Sequence, residues 1–402
     1  MTKVDKEYLR QLEETGDVME LNLGPQHPST HGVLRLKLRL EGEVVLSCDP
    51  VIGYLHTGVE KECESRTYHQ VFTLVDRLDY LSGPAEEQAF AGAVERMMQV
   101  EVPERAQTIR IILLELSRIA SHLIWAGTSA LELNMSSVFM YSFAEREKIL
   151  DLFEEFSGAR MFPSVWRIGG LSRDLNPNFE ANLREFIKGF PKIWKELDNL
   201  LTNNYVWCER LKGVAVIDEE LCKQYMCTGP VLRGSGVAYD IRKAYPYLGY
   251  ETYQFDIPTY HEADSYARYL VRMEEMRQSL SIIEQALGRL KPGPVLTNDR
   301  KVALPPRREL ARSMEAVIHQ FKLVSEGIHP PVGGVYNCVE SARGELGHYL
   351  ISDGSPRPYR LRVRSPSFSH IEVLKEVLPG HVISDVVVAI ASVDPILGDV
   401  DR

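Results

Sequence analysis

The densest histidine cluster of the sequence is GPQHPSTHG, which runs from Gly24 to Gly32 and spaces two histidines four residues apart. A helix would turn both imidazoles toward one metal ion, but Pro25 and Pro28 disfavour a helix. No third metal ligand stands nearby. Glycine allows unusual backbone angles, and loops on rigid sheets often carry binding residues. The loop is a candidate binding site, with a histidine that only stabilises a turn as the alternative.

A second candidate is DRLDY, in which Arg77 precedes Tyr80 by three residues, about one turn if the segment is helical. A tyrosine hydroxyl in an apolar pocket can donate a hydrogen bond and a proton to a carbonyl ligand. The alternative is a core tyrosine whose hydroxyl is already satisfied. Further along, arginines accompany Glu340, Glu345 and Asp353, which is typical of a salt-linked surface or interface.

Composition excludes several classes of protein. The net charge of -10 argues against a general nucleic-acid binder. The six cysteines form no C-x-x-C pair, so no zinc knuckle or complete cluster-binding motif is visible. Nucleophile-elbow, Walker and Rossmann glycine patterns are absent. The charged first seventeen residues resemble no secretory signal, and no apolar run reaches the ~20 residues of a membrane span.

The elements that must position these residues follow from hydrophobic periodicity. Residues 18–48 alternate as strands, and the histidine loop joins the first two. Helical spacing follows at 104–134, nearly apolar all round and so central to a bundle, and then at 138–158, 178–204, 217–227, 261–290 and 305–327. Strand patterns return after residue 331. The fold class is α+β, with an N-terminal β domain (1–56), a helical core domain (57–330) and a C-terminal α+β segment (331–402).

Seven motifs together resemble one family. They are LNLGPQHPSTHGVLRLKLRLEGE, DPVIGYLHTGVEK, DRLDYLSG, YSFAEREKILDLFE, RIGGL, PPVGGVYNCVESARGELGHYLISDGSPRPYRLRVRSPSF and DPILGDVDR. In this order they look like the quinone-site subunit of respiratory complex I, the proton-pumping NADH:quinone oxidoreductase. The resemblance covers the chain from about residue 20 to residue 402. It implies a fold like that of the nickel–iron hydrogenase large subunit, to which this family is related.

The cysteines separate the two families. A hydrogenase large subunit has two C-x-x-C motifs for its metal centre, whereas the corresponding stretches here read DRLDYLSG and VDPILGDV. None of the four thiolates remains. Because such a centre needs soft thiolate ligands, the sequence predicts the hydrogenase shell without its metal, and no redox metal or other cofactor bound by this chain alone.

The resemblance also implies roles for individual residues. His31 and Tyr80 match the pair that hydrogen-bonds the two quinone oxygens, and both are expected to be catalytic and quinone-binding. A histidine pKa suits proton delivery near neutral pH. His27 is expected to be structural, in a second shell. Arg77 matches an arginine near the terminal [4Fe-4S] cluster of the partner subunit, where its charge would favour the reduced cluster.

Two positions depart from the family pattern. Glu132 stands where the family has an aspartate that pairs with the histidine matching His31, so the carboxylate reaches one methylene further. Phe162 stands where many members have a histidine beside the terminal cluster. The second departure predicts a cluster potential that depends less on pH than in those members.

The expected partners are the iron–sulfur small subunit, other subunits of the hydrophilic arm, the quinone-channel subunit of the membrane arm and quinone itself, with no nucleic acid. The expected location is peripheral, on the cytoplasmic side of the inner membrane. Two alternatives stay open: the same role in a ferredoxin- or deazaflavin-driven relative, and a catalytically silent scaffold. A scaffold has no need of both His31 and Tyr80.

Overall fold

The computed structural model describes residues 18–402; residues 1–17, on which the expectation about a secretory signal rests, lie outside this range. The strands are β1 (Met19–Leu23), β2 (Arg35–Glu41), β3 (Val44–Val51), β4 (Trp166–Arg167), β5 (Gly170–Leu171), β6 (Gly333–Ser341), β7 (Gly344–Ser352) and β8 (Arg360–Arg364). The helices up to the middle of the chain are α1 (Val59–Cys63), α2 (Tyr68–Val75), α3 (Gly83–Met98), α4 (Glu104–Glu132), α5 (Ser136–Ser157), α6 (Phe179–Leu201), α7 (Tyr205–Leu211) and α8 (Glu219–Gln224). The later helices are α9 (Pro230–Arg233), α10 (Ile241–Ala244), α11 (Ser265–Arg289), α12 (Arg307–Leu310), α13 (Met314–Ser325), α14 (Pro366–Glu372), α15 (Leu374–Val377), α16 (Ile383–Val393) and α17 (Leu397–Asp401).

The N-terminal sheet is antiparallel in the order β1-β2-β3. Alternate leucines of β2 are buried while the basic residues between them face outward, as the period-2 pattern predicts. Beyond β3 the sheet continues onto a distant segment: Val45 N–H donates to His381 O (2.8 Å), and Gly380 N–H donates to Val45 O (2.8 Å). The chain after β3 is also bound to a residue near the C-terminal end: the Asp401 carboxylate accepts the N–H groups of Gly53 (2.8 Å) and Leu55 (2.7 Å).

Helix α4 is the central element of the helical part, as its periodicity predicts. It begins after Pro103, whose fixed φ suits a helix start. Glu104 lies in its first turn, where a carboxylate interacts favourably with the positive end of the helix dipole. Most of its residues are buried against α5 and α11. Its buried charges are paired: the Glu115 carboxylate accepts from Arg242 at 3.1 Å, and His122 meets Glu275 at 2.8 Å.

The C-terminal part is an antiparallel sheet, β6-β7-β8, with α3 packed on one face. The contact with α3 is close because Gly92 has no side chain; a Cβ there would lie 2.6 Å from Asn337 Nδ2. One expectation needs correction. The single helix predicted at 305–327 is two, because the Ser313 side chain caps α13 by accepting from Ala316 N–H (3.2 Å). Asp76–Tyr80 is a turn after α2 and not a helical segment.

The predicted α+β class is confirmed. Buried residues of all three predicted segments join one hydrophobic core, for example Leu38 of β2, Leu116 of α4 and Leu350 of β7. Within residues 18–402, no helix combines the length and the apolar character that crossing a membrane requires.

Candidate functional site

The histidine loop has a fixed conformation that glycine makes possible. Gly24 adopts φ 82°, and a Cβ at this position would lie 2.2 Å from Leu34 O. The buried Thr30 hydroxyl donates to His27 O (2.9 Å) and stabilises a short 3-10 turn, Pro28–Thr30, that packs against α16. His27 Nδ1 accepts the Ser29 N–H (3.2 Å). His27 therefore stabilises the turn.

His31 follows this turn in a left-handed conformation with φ 54°. Positive φ is uncommon outside glycine, and such strain tends to persist at functional sites. The His31 side chain is exposed in the isolated chain. Desolvation by the surrounding protein lowers its pKa, Asp394 opposes this change and Arg343 adds to it. A neutral imidazole is therefore the prevailing form at neutral pH.

Tyr80 is positioned by the turn that follows α2. The Asp79 carboxylate stabilises this turn by accepting the N–H groups of Leu81 and Ser82, both at 3.1 Å. Tyr80 itself is partly buried. Burial raises its pKa, Arg343 opposes this rise, and Asp79 and Asp394 add to it. The phenol is therefore protonated at neutral pH and can act as a hydrogen-bond donor.

A buried arginine lies between the two segments. Arg343, 1% exposed, donates from Nη1 to Asp79 Oδ2 (2.9 Å) and from Nε to Asp394 O (3.1 Å), and its Nη2 lies 3.3 Å from Asp394 Oδ2. The same two charges, Arg343 and Asp394, act on the pKa of both His31 and Tyr80. Both residues therefore lie within electrostatic reach of one charge pair, although no hydrogen bond joins them among residues 18–402.

Sequence reasoning missed this arginine. The pattern at 339–368 predicts arginines at a salt-linked surface, whereas Arg343 pairs with carboxylates in the core. A usable signal was its position between the apolar alternations of β6 and β7, because a charge in a buried hairpin needs a partner.

The stretches DRLDYLSG and VDPILGDV contact each other. Gly398, in the second stretch, lies so close to the first that a Cβ there would be 2.5 Å from Leu78 O. In residues 18–402 no three His, Cys, Asp or Glu side chains form a group suited to a metal ion.

Arg77 and Phe162 come together as neighbours. The Arg77 guanidinium lies over the Phe162 ring, 5.1 Å from its centroid, and donates to Asp76 Oδ1 (2.9 Å). Ser164 Oγ donates to the other oxygen of Asp76 at 2.7 Å, which ties the Phe162 segment to the turn before Tyr80. The arginine side chain is exposed, so a partner can approach it.

Glu132, the last residue of α4, is not hydrogen-bonded to His31, so the expected pairing is not formed in this structure. Its Oε2 is buried without a hydrogen-bond partner. It lines a cleft with Trp125, Ser129 and Ser392, whose volume of about 10 Å³ has room for one water at most. Burial raises the pKa of Glu132 to about 8. This carboxyl can therefore gain or lose a proton near neutral pH.

The family model and the relatives that match this chain indicate the same kind of protein. A family model described as respiratory-chain NADH dehydrogenase, 49 Kd subunit, matches residues 132–402. The chain is 87% identical over 402 residues, all of both chains, to an NADH-quinone oxidoreductase subunit of Protochlamydia amoebophila. It is 53% identical over 389 residues (96% of this chain, 95% of the relative) to the corresponding NADH-quinone oxidoreductase subunit of Chloroflexus aurantiacus. It is 48% identical over 386 residues (96% and 99%) to that of Geobacter sulfurreducens.

Proposed function

The chain belongs to the 49 kDa subunit family of respiratory-chain NADH dehydrogenases, and from this premise we propose which of its residues carry the chemistry. It is a subunit of NADH:quinone oxidoreductase, complex I, and contributes to the quinone site. We propose that His31 and Tyr80 hold the two oxygens of the quinone headgroup. The observation that carries this assignment is that Arg343 bridges Asp79 and Asp394. Asp79 directly precedes Tyr80, and Asp394 directly follows α16, on which the histidine loop packs.

Each residue suits a different part of the reaction. Reduction of quinone to quinol takes two electrons and two protons. Tyr80 keeps its proton at neutral pH and can donate a hydrogen bond to one carbonyl oxygen, and it releases that proton when negative charge develops there. His31, neutral near neutral pH because its pKa is lowered, can donate an N–H hydrogen bond to the other oxygen, and it delivers a proton there after it has taken one up from water. The fixed charge of Arg343 stabilises both the developing anion and a deprotonated Tyr80.

Proton replacement follows from the same electrostatics. A deprotonated Tyr80 is unfavourable in its partly buried place, so it must be reprotonated after each turnover. We propose Glu132 as a supporting proton carrier, since its pKa of about 8 lets it hold a proton at neutral pH. The energy released by quinone reduction would be transmitted to the membrane arm, and we assign no step of this transmission to a particular residue.

The electron donor and the setting complete the proposal. The electrons would come from a [4Fe-4S] cluster held by the iron–sulfur small subunit, near Arg77 and Phe162. Other hydrophilic-arm subunits and the quinone-channel subunit of the membrane arm would be further partners, on the cytoplasmic side of the inner membrane. The names of the relatives favour NADH over ferredoxin or a deazaflavin as the source of electrons.

The test is inhibitor-sensitive, NADH-driven quinone reduction by native membranes, with wild type compared with Tyr80→Phe. This substitution removes one hydroxyl and almost no volume. We expect an assembled complex with most of its turnover lost, and no change for the control Tyr205→Phe at an exposed position of α7. Unimpaired turnover of assembled Tyr80→Phe would overturn the site assignment and favour the scaffold. Wild-type membranes without NADH activity would point to ferredoxin as the donor.

A further inference from the structure

The two edges of the C-terminal sheet are not equally covered. At the β8 edge, Val363 N–H donates to Glu60 Oε1 (2.8 Å) of α1, and Arg402 donates to Val363 O (2.6 Å). At the β6 edge, the hydrogen bonds of 3.2 Å or less that reach the main chain of the strand from elsewhere in residues 18–402 lie at its end, where Glu340 N–H donates to Tyr247 OH (3.2 Å) and Glu340 O accepts from Arg118 (2.6 Å). Uncovered edges are places where another strand can pair.

The first half of β6 has main-chain groups free on this outer side. Residues two apart in a strand direct their N–H and C=O groups to the same side, so Gly334, Tyr336 and Cys338 share the outward side of Glu340. Within the described part of the chain, no hydrogen bond from outside the sheet reaches the main chain of Gly334 or Cys338. Tyr336 O accepts one long bond from Arg96, at 3.4 Å.

This open edge borders a large cavity. Its volume is about 1240 Å³, and its walls are β6, the end of α3 and the segment 239–248. Tyrosines dominate the apolar part of the wall, and they hold a carboxylate: Glu345 accepts from Tyr336 OH (2.7 Å) and Tyr239 OH (3.4 Å). Glu101 adds an exposed carboxylate at the rim. Among the described lining residues Arg96 is the one cation, so the cavity is acidic overall.

We propose that the edge of β6 binds an extended segment of another subunit of the complex, which adds a fourth strand along Gly334–Cys338. This segment would place a lysine or arginine in the cavity, near the Glu345 and Glu101 carboxylates. Main-chain pairing provides affinity in this binding mode, and side-chain pockets provide specificity. Tyrosine rings and carboxylates together suit a cationic side chain. The proposal rests on membership of the complex and not on the quinone-site assignment.

The first experiment places a photo-crosslinking benzoylphenylalanine at Tyr336 in the complete complex in native membranes. Mass spectrometry then identifies the attached peptide. We expect a peptide of another subunit that contains a lysine or arginine within a few residues of the crosslink. The matched control is the same group at Tyr205, which is 76% exposed and lies on α7, away from the cavity. No crosslink at Tyr336 beyond the yield at Tyr205, or attachment only to this chain, would overturn the proposal.

The second experiment removes one outward donor. Cys338→Pro deletes the N–H that would pair with the added strand, and proline is tolerated at an edge when its nitrogen faces outward. Cys338→Ala keeps the N–H and serves as control. We expect several-fold less assembled complex for Cys338→Pro, with turnover per assembled complex unchanged. A defect in the quinone site would instead lower the turnover of assembled complex, so the two failures are distinguishable.

Because a proline variant can fail to fold, the exposed Glu101→Lys provides an independent test. It reverses a charge at the cavity rim without disturbing the sheet, and we expect reduced assembly that improves at high salt, where repulsion is screened. If Cys338→Pro and Glu101→Lys both assemble as well as Cys338→Ala, the edge is no docking site.

Discussion

Glu132→Gln should make the stability of this subunit less sensitive to pH between about 4.5 and 8. The pKa of Glu132 rises from 4.5 to about 8 on folding because the carboxyl is desolvated. Each unit of pKa difference corresponds to about 1.4 kcal/mol. The full rise therefore sets a ceiling of about 5 kcal/mol for the cost of ionising this group in the folded state. Since the side chain is only partly buried, we expect solvent screening to reduce the cost to about 2 kcal/mol.

The sign follows from proton linkage. The folded state keeps the Glu132 proton up to about pH 8, whereas the unfolded chain loses it near pH 4.5. The folded state binds more protons in this window, so its stability falls as pH rises from about 4.5 to 8 and changes little above that. Glutamine does not titrate. The stability difference between Glu132→Gln and wild type should therefore be near zero at pH 4.5, grow through this window and level off above pH 8.

The assay is thermal unfolding of the purified subunit, followed by circular dichroism at a series of pH values. Glu315→Gln, at an exposed position of α13, is the control for a general charge effect. A stability difference for Glu132→Gln that stays constant from about pH 5 to 9, or matches that of Glu315→Gln, would refute the reasoning. In that case Glu132 is ionised in the folded protein and has no proton to pass on near neutral pH.

Three further predictions concern the neighbourhood of the site. Phe162→His should raise the pH dependence of the adjacent cluster potential toward ~59 mV per pH unit, and redox titration of wild type already showing that full slope would contradict the argument. Gly398→Ala should lower the free energy of unfolding by about 1–3 kcal/mol through its clash with Leu78 O, whereas the control Gly288→Ala, in open space on α11, should be neutral or stabilising. Equal melting temperatures of the Gly398→Ala and Gly288→Ala variants would contradict a tight contact at Gly398. Arg343→Met leaves Asp79 and Asp394 buried without their cation and should cost about 3–5 kcal/mol, which denaturant unfolding would disprove if the midpoint did not move.

The sequence predicts those elements whose local pattern agrees with their packing. β2 has one buried face and one basic face, so its alternation of apolar and basic residues is visible in the sequence. α4 is long and follows a proline. α16 was not predicted, because VISDVVVAIASV is rich in β-branched residues that favour strands. It is helical since it packs among α4, α11 and the histidine loop, a tertiary influence that no local window contains.

The same limit applies to the site. His31 and Tyr80 stand in motifs that resemble those of the family, and this resemblance predicts both as quinone ligands. Arg343 contributes to the site through contacts with Asp79 and Asp394, each far away in the sequence, so its role becomes visible only when the chain is folded. The pairing expected between His31 and Glu132 is a finer matter of side-chain reach, which spacing along the sequence does not determine.

The bonds from Asp401 to Gly53 and Leu55 have a consequence for the order of events during synthesis. They join residues 348 and 346 positions apart, which a ribosome produces about 20–70 s apart at roughly 5–20 residues per second. For that interval, β3 is paired with β2 but has no neighbour on its outer edge at Val45, since its partner His381 is also made late. A nascent chain with an open strand edge invites aggregation. We therefore expect the segments around the histidine loop to be the last to reach their native conformation. We expect a chaperone to shield the N-terminal sheet until then.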